Sequence, residues 1–213
     1  MAAELSTEDK FLLRQAAVRL QERFKGKLNT ETIERFMTDS LDQLMEKATT
    51  TTWIVLLAER FASERLRALV RLQTNPTLLN PSVLFLCVHN AGRSQMAAGY
   101  MRLLSGGKVD VFTGGSEPAE DINQTAAQAM LEKGINIRGE IPQPWSDEIV
   151  RSADVVVTMG CGDACPIYPG KRYVDWEVDD PAGRTLEEIR PIRDHLEQRV
   201  RGLLADLEIE TVW

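Results

Sequence analysis

The stretch Val83–Met101 reads VLFLCVHNAGRSQMAAGYM. Five apolar residues, Val83 to Cys87, run into a loop of small and polar residues, and the loop runs into a helix-like pattern. A short continuous apolar run bounded by turn residues suits a strand buried on both faces. A strand that feeds a helix through a tight loop presents backbone N–H groups and the positive end of the helix to a ligand, and anions bind there. The loop is not the nucleotide-binding pattern G-x-x-x-x-G-K-[ST]. Cys87 opens it, and Arg93 stands where the lysine would be. Arginine offers a planar fork to two oxygens of a tetrahedral oxyanion.

Cys87 lies in the same positive field, which stabilises a thiolate. A thiolate held against a tetrahedral oxyanion attacks its central atom. Ala91 and Gly92 let the backbone curl around the anion, and Ser94 is placed to donate a hydrogen bond to the thiolate. The candidate substrate-binding residues are therefore Val88, His89, Asn90, Ala91, Gly92, Arg93 and Ser94. Attack expels an oxygen, so an acid must protonate it. The segment VDWEVDDPAG offers Asp175, Glu177, Asp179 and Asp180. Loops at the carboxyl ends of parallel strands build such sites, and Asp180, before Pro181, is the choice.

Outward from this stretch the chain divides near residue 75. Before it, three helical patterns each carry an apolar stripe with charges opposite. The first runs from Ser6 to Phe24, with Ser6 as N-cap and Asp9 three residues on, and its apolar positions are Phe11, Leu12, Ala16, Leu20 and Phe24. The second follows Asn29 or Thr30 and carries Ile33, Phe36, Met37, Leu41 and Leu44. The third spans about Thr52 to Leu72. Together they predict a small all-α three-helix bundle over residues 1–74. Residues 75–82, with Pro76 and Pro81, read as a linker.

Residues 83–213 alternate strand and helix. VLFLC, VDVFTG, ADVVVTM and RYVDW are strand patterns, and SQMAAGYMRLL, about Asn123–Lys133 and TLEEIRPIRDHLEQRVRGLLADL are helical despite Pro191. The fold class expected is α/β, a parallel four-stranded sheet with helices on both faces.

Composition sets the outer bounds. The 213 residues carry a net charge of −7, with 43% hydrophobic and 27% charged residues, as in an ordinary soluble domain. An acidic chain is poorly suited to nucleic acid or an anionic membrane. No apolar run approaches the ~20 residues of a membrane span, and the N-terminus lacks a signal-peptide pattern, so a cytoplasmic location is expected. Three cysteines, Cys87, Cys161 and Cys165, argue for reactive thiols rather than a disulfide framework. Cys161 and Cys165 end the third strand and open at the same sheet edge as Cys87. Zinc normally needs four ligands, and only His89 and His195 supplement the thiols, so no metal or cofactor is assigned. Three thiols at one edge suit a relay that reduces an oxyanion by two electrons. Arsenic(V) is reducible in this way and phosphorus is not.

CVHNAGRS after the first strand and DDPAG before the closing helix resemble the low-molecular-weight protein tyrosine phosphatase superfamily over residues 83 to about 207. Within it, NAGRSQMA, DDPAG and the downstream cysteine pair resemble the thioredoxin-coupled arsenate reductases, in the actinobacterial form with an N-terminal helical domain. The resemblance implies that Cys87 is the nucleophile, Arg93 binds the oxyanion, Asn90 holds the strained loop backbone and Ser94 steadies the thiolate. It further implies Asp180 as general acid, Cys161 as second thiol and Cys165 as the last, which thioredoxin regenerates. The chain departs from the pattern in the three-residue gap between Cys161 and Cys165, which is wider in the relatives. Ala98 also stands in MAAG where some relatives use a glutamate to bind potassium. Other members lack the pair and use mycothiol with a mycoredoxin. A phosphotyrosine phosphatase and a thiol-based sensor are the competing readings. The bundle carries no catalytic constellation, and a homodimer formed through it is expected.

Overall fold

The computed structural model describes residues 5–46, 52–160 and 167–213. Cys161 and Cys165 lie outside them. The chain forms two compact units, Met1–Pro76 and Thr77–Trp213.

In the first unit, α1 (Thr7–Arg23), α2 (Thr30–Met45) and α3 (Ile54–Gln73) pack together. Ser6 caps α1, and its hydroxyl and backbone N–H exchange hydrogen bonds with Asp9, satisfying donors that a helix start leaves open. Asn29 caps α2 through the Thr32 N–H. The buried stripe of α1 is Ala16, Leu20 and Phe24, with Leu13 partly buried against the same core. Phe11 and Leu12, expected on that stripe, are 59% and 43% exposed. The apolar spacing admits two adjacent faces, and Leu13 and Ala16 sit on the one packed into the bundle core. Arg65 on α3 is buried, reaches Asp39 and Ser40 and stacks over Phe36 and Phe61 at 4.8 and 5.3 Å.

In the second unit, β1 (Ser82–Cys87), β2 (Asp110–Gly115), β3 (Val155–Met159) and β4 (Arg172–Asp175) form a parallel sheet in the order β2-β1-β3-β4. β1 is central and buried throughout. Its Val83, Phe85 and Cys87 belong to the core made with α4 (Arg93–Ser105), α5 (Gln124–Leu131) and α7 (Leu186–Asp206). Leu84 and Leu86 alternate to the opposite face, where α6 (Asp147–Ser152) packs on β1. Helices thus cover both faces, as expected. α6 is an element the sequence reading lacked; six residues are too few to show a helical period. Thr185 caps α7 by a reciprocal bond with Glu188. Pro191 sits in the second turn, where its missing N–H forfeits one bond close to the helix start.

Candidate active site

The first strand ends at Cys87, and its thiol is 2% exposed at the mouth of the β1–α4 loop. Three bonds turn the loop's carbonyls away from the thiol. Glu117 N–H donates to the Val88 carbonyl at 2.9 Å, Ala119 N–H to that of His89 at 3.0 Å, and Asn123 N–H to that of Ala91 at 2.9 Å. In a planar trans peptide the C=O and the following N–H point opposite ways. The outward carbonyls therefore send the amides of His89, Asn90 and Gly92 inward. For Asn90 the result is direct: its N–H donates to Cys87 Sγ at 3.2 Å.

Asn90 adopts a left-handed backbone with φ +49°. Asparagine tolerates this region better than most non-glycine residues. Its side chain is fully buried, and Nδ2 donates to Ser94 Oγ at 2.9 Å. Ser94 Oγ is in turn 3.0 Å from Cys87 Sγ. The sequence reading gave the curl of the loop to Ala91 and Gly92; the positive φ lies at Asn90, the residue to which the resemblance gave the strained backbone. Gly92 serves a different need. A Cβ there would lie 2.6 Å from Pro181 Cγ, so glycine is what lets the Asp180–Pro181 loop sit against the thiol loop.

Arg93 begins α4 rather than closing the loop. Its side chain is one-tenth exposed, and Nη2 holds Asp180 Oδ2 at 2.7 Å. The other acids are engaged elsewhere or exposed. Asp175 accepts from Thr158, Asp179 pairs with Arg184, and Glu177 is exposed. Asp180 alone among the four is at the arginine. Ala182 N–H anchors its second oxygen, Oδ1, at 2.9 Å. Gly160, with φ +71°, closes the arginine's other side, since a Cβ there would lie 2.9 Å from Arg93 Nη1.

Val88 is half-buried in the loop, and His89 is exposed with Nδ1 on the Glu117 carbonyl at 3.1 Å, so its ring is held away from the thiol. His195 lies on α7 in a cleft of about 620 Å³ with Gly160, Trp176 and Asp179, which neither Cys87 nor His89 lines. Among the described residues no cluster of three His, Cys, Asp or Glu could hold a metal ion, and no helix is long and apolar enough to cross a membrane. The arrangement can seat a tetrahedral oxyanion on inward amides and a guanidinium, attack it with a hydrogen-bonded sulfur and protonate what leaves.

The sequence of residues 82–212 matches the model of the low molecular weight phosphotyrosine protein phosphatases. The chain belongs to that family. Residues 13–70 match the N-terminal domain of protein-tyrosine-phosphatase-like proteins, so both units have counterparts among known families. A solved structure of a Corynebacterium glutamicum thioredoxin-dependent arsenate reductase is 37% identical, with a TM-score of 0.81 over 96% of this chain and 98% of that one. A putative arsenate reductase of Halobacterium salinarum is 36% identical over 56% of this chain and 87% of its own length. A glutaredoxin arsenate reductase of Synechocystis is 35% identical over 59% of this chain and 97% of its own. In this member of the phosphatase family, Gln95, Gln143 and Gly115 also support the site. The sequence reading missed them: Gln143 and Gly115 meet the loop across the fold, and Gln95, five residues from Asn90, carries no reactive group to mark it.

Proposed function

We propose that the chain reduces arsenate to arsenite, drawing its electrons from thioredoxin. The observation that carries the reading is Cys87 Sγ inside a loop of inward amides, flanked by the Arg93–Asp180 pair, in a chain similar along nearly its whole length to an arsenate reductase. The Cys87 thiolate attacks arsenic(V), an As–O bond breaks, and the departing oxygen leaves as water with a proton from Asp180. Arg93 and the loop amides hold the remaining oxygens. The Cys161 thiolate then attacks Cys87 Sγ. The S–As bond breaks with its electron pair staying on arsenic, arsenite leaves, and a Cys87–Cys161 disulfide remains. Cys165 attacks Cys161 and frees Cys87. The thioredoxin dithiol reduces the Cys161–Cys165 disulfide and is itself oxidised.

Strand register supports the order of the thiols. Cys87 pairs with Met159 across β1 and β3. Adjacent strands lie about 4.8 Å apart, and Cys161 is two residues beyond Met159. Cys165 is four residues further and suits the later role.

The three-helix unit carries none of the residues named for the chemistry. Phe11 and Val18, seven residues apart on one face of α1, are both more than half exposed, and this face is assigned to a homodimer. A monomeric mass in solution refutes that assignment.

The reaction is tested by arsenate-dependent NADPH oxidation with thioredoxin and thioredoxin reductase. The native chain turns over, and Cys161→Ser and Cys165→Ser do not. Turnover only with mycothiol and a mycoredoxin would replace thioredoxin as the reductant. Efficient aryl phosphate hydrolysis without arsenate turnover would overturn the reading in favour of a phosphatase.

A further inference from the structure

Gln143 lies between Pro142 and Pro144, so its backbone N–H is the one main-chain donor of that tripeptide. The segment runs beside β2: Gly115 N–H donates to the Gln143 carbonyl at 3.0 Å, and Gln143 Nε2 donates to the Thr113 carbonyl at 3.1 Å. Its own N–H donates to Asn90 Oδ1 at 3.0 Å. Gln95 Nε2 donates to the same oxygen at 3.1 Å. Asn90, Gln95 and Gln143 are all buried.

A side-chain amide can be turned over to suit its neighbours, but a backbone N–H is always a donor. Facing the Gln143 N–H, Asn90 must present its oxygen there. Its Nδ2 is then left facing Ser94 Oγ, which must accept. Having accepted, the Ser94 hydroxyl has its proton free for Cys87 Sγ, 3.0 Å away. The donors run one way, from Gln143 through Asn90 and Ser94 to the sulfur.

We propose that Gln143 is a positioning residue for the nucleophile: its backbone N–H sets the polarity of the Asn90–Ser94–Cys87 chain, so that the serine donates to the thiolate. This rests on Cys87 being the nucleophile of the reaction proposed above. Gln143 touches neither the sulfur nor a bound oxyanion; it acts through Asn90.

The test reads thiolate reactivity directly and does not depend on arsenate turnover. In a Cys161→Ser, Cys165→Ser background Cys87 is the one thiol, and its alkylation by neutral iodoacetamide is followed against pH. Gln143→Pro removes the donor. Asn90→Gly removes the connecting amide while glycine still adopts the left-handed backbone and keeps the N–H that faces the sulfur. Each variant slows alkylation at pH 7 by about tenfold, the scale of one hydrogen bond to a charged group. In a Ser94→Ala background neither slows it further, because the bond they orient is already gone. Native reactivity in either variant overturns the proposal, as does a loss that persists in full on Ser94→Ala. Should Gln143→Pro fail to fold, Asn90→Gly and its serine cycle decide. If arsenate turnover is absent while this pattern holds, the reaction assignment fails and the positioning role stands.

Discussion

Gly92→Ala places a methyl carbon 2.6 Å from Pro181 Cγ if nothing moves. Carbon atoms settle at about 3.5–4.0 Å, so Pro181 must retreat by about 1 Å. Asp180 is the adjoining residue, and its Oδ2 now meets Arg93 Nη2 at 2.7 Å. A retreat of that size takes the contact to about 3.7 Å, outside hydrogen-bonding range. It also pulls the acid away from the oxygen it protonates. Displacing a catalytic group by about 1 Å costs on the order of 100-fold in rate. The overpacking itself costs about 1–3 kcal/mol. The assay is arsenate-dependent NADPH oxidation through thioredoxin, with Cys87 alkylation run in parallel. The expected variant loses kcat by about 100-fold yet alkylates at the native rate, because the Asn90 and Ser94 bonds to the sulfur involve neither Pro181 nor Asp180. A native kcat would refute the reasoning, since it would mean that the acid loop does not depend on the glycine for its seat.

Asp180→Asn keeps a side chain that can meet Arg93 but removes the proton, and lowers kcat by about 10²–10⁴-fold with a smaller change in KM, read from steady-state kinetics. Gly160→Ala forces a left-handed alanine, costing about 1–2 kcal/mol. It also presses a methyl on Arg93 Nη1, so that KM for arsenate rises and the melting temperature falls. Glu132 is held down to about 2 by its hydrogen bonds to Arg190 and Arg193, against an ordinary value of 4.5. A depressed carboxyl adds stability that is fully present above its unfolded pKa and is lost as pH falls from about 4.5 to about 2. Glu132→Gln therefore lowers the melting temperature at neutral pH and flattens its decline across that acid window, as measured by circular dichroism.

What the sequence made legible follows physical range. β1 was readable because six consecutive buried residues leave no other use for such a run. The starts of α1 and α7 were readable because Ser6–Asp9 and Thr185–Glu188 are local pairs, three residues apart. Cys87 and Arg93 were readable because the strand–loop–helix order fixes where they sit. Choosing Asp180 from four acids was a different matter: the deciding contact joins residues 87 apart in the chain. The Gln143–Asn90 bond spans 53 residues and starts from a backbone atom, which no residue type advertises. Phe11 and Leu12 misled because a two-turn apolar pattern allows neighbouring faces to compete, and only the packing of α2 and α3 on α1 decides between them.

A seat made of main-chain amides and one guanidinium measures charge and tetrahedral shape. It has no means of weighing the atom at the centre. Phosphate and arsenate present it with nearly the same outline, so phosphate should occupy the loop readily and compete with arsenate. On the proposed reaction, selection then happens after binding. Only the arsenic adduct can take an electron pair when the second thiol strikes Cys87, while a phosphoryl adduct must await water or revert. The enzyme would be permissive at the door and strict at the electron transfer, and the surrounding phosphate would set how fast a cell could clear its arsenate.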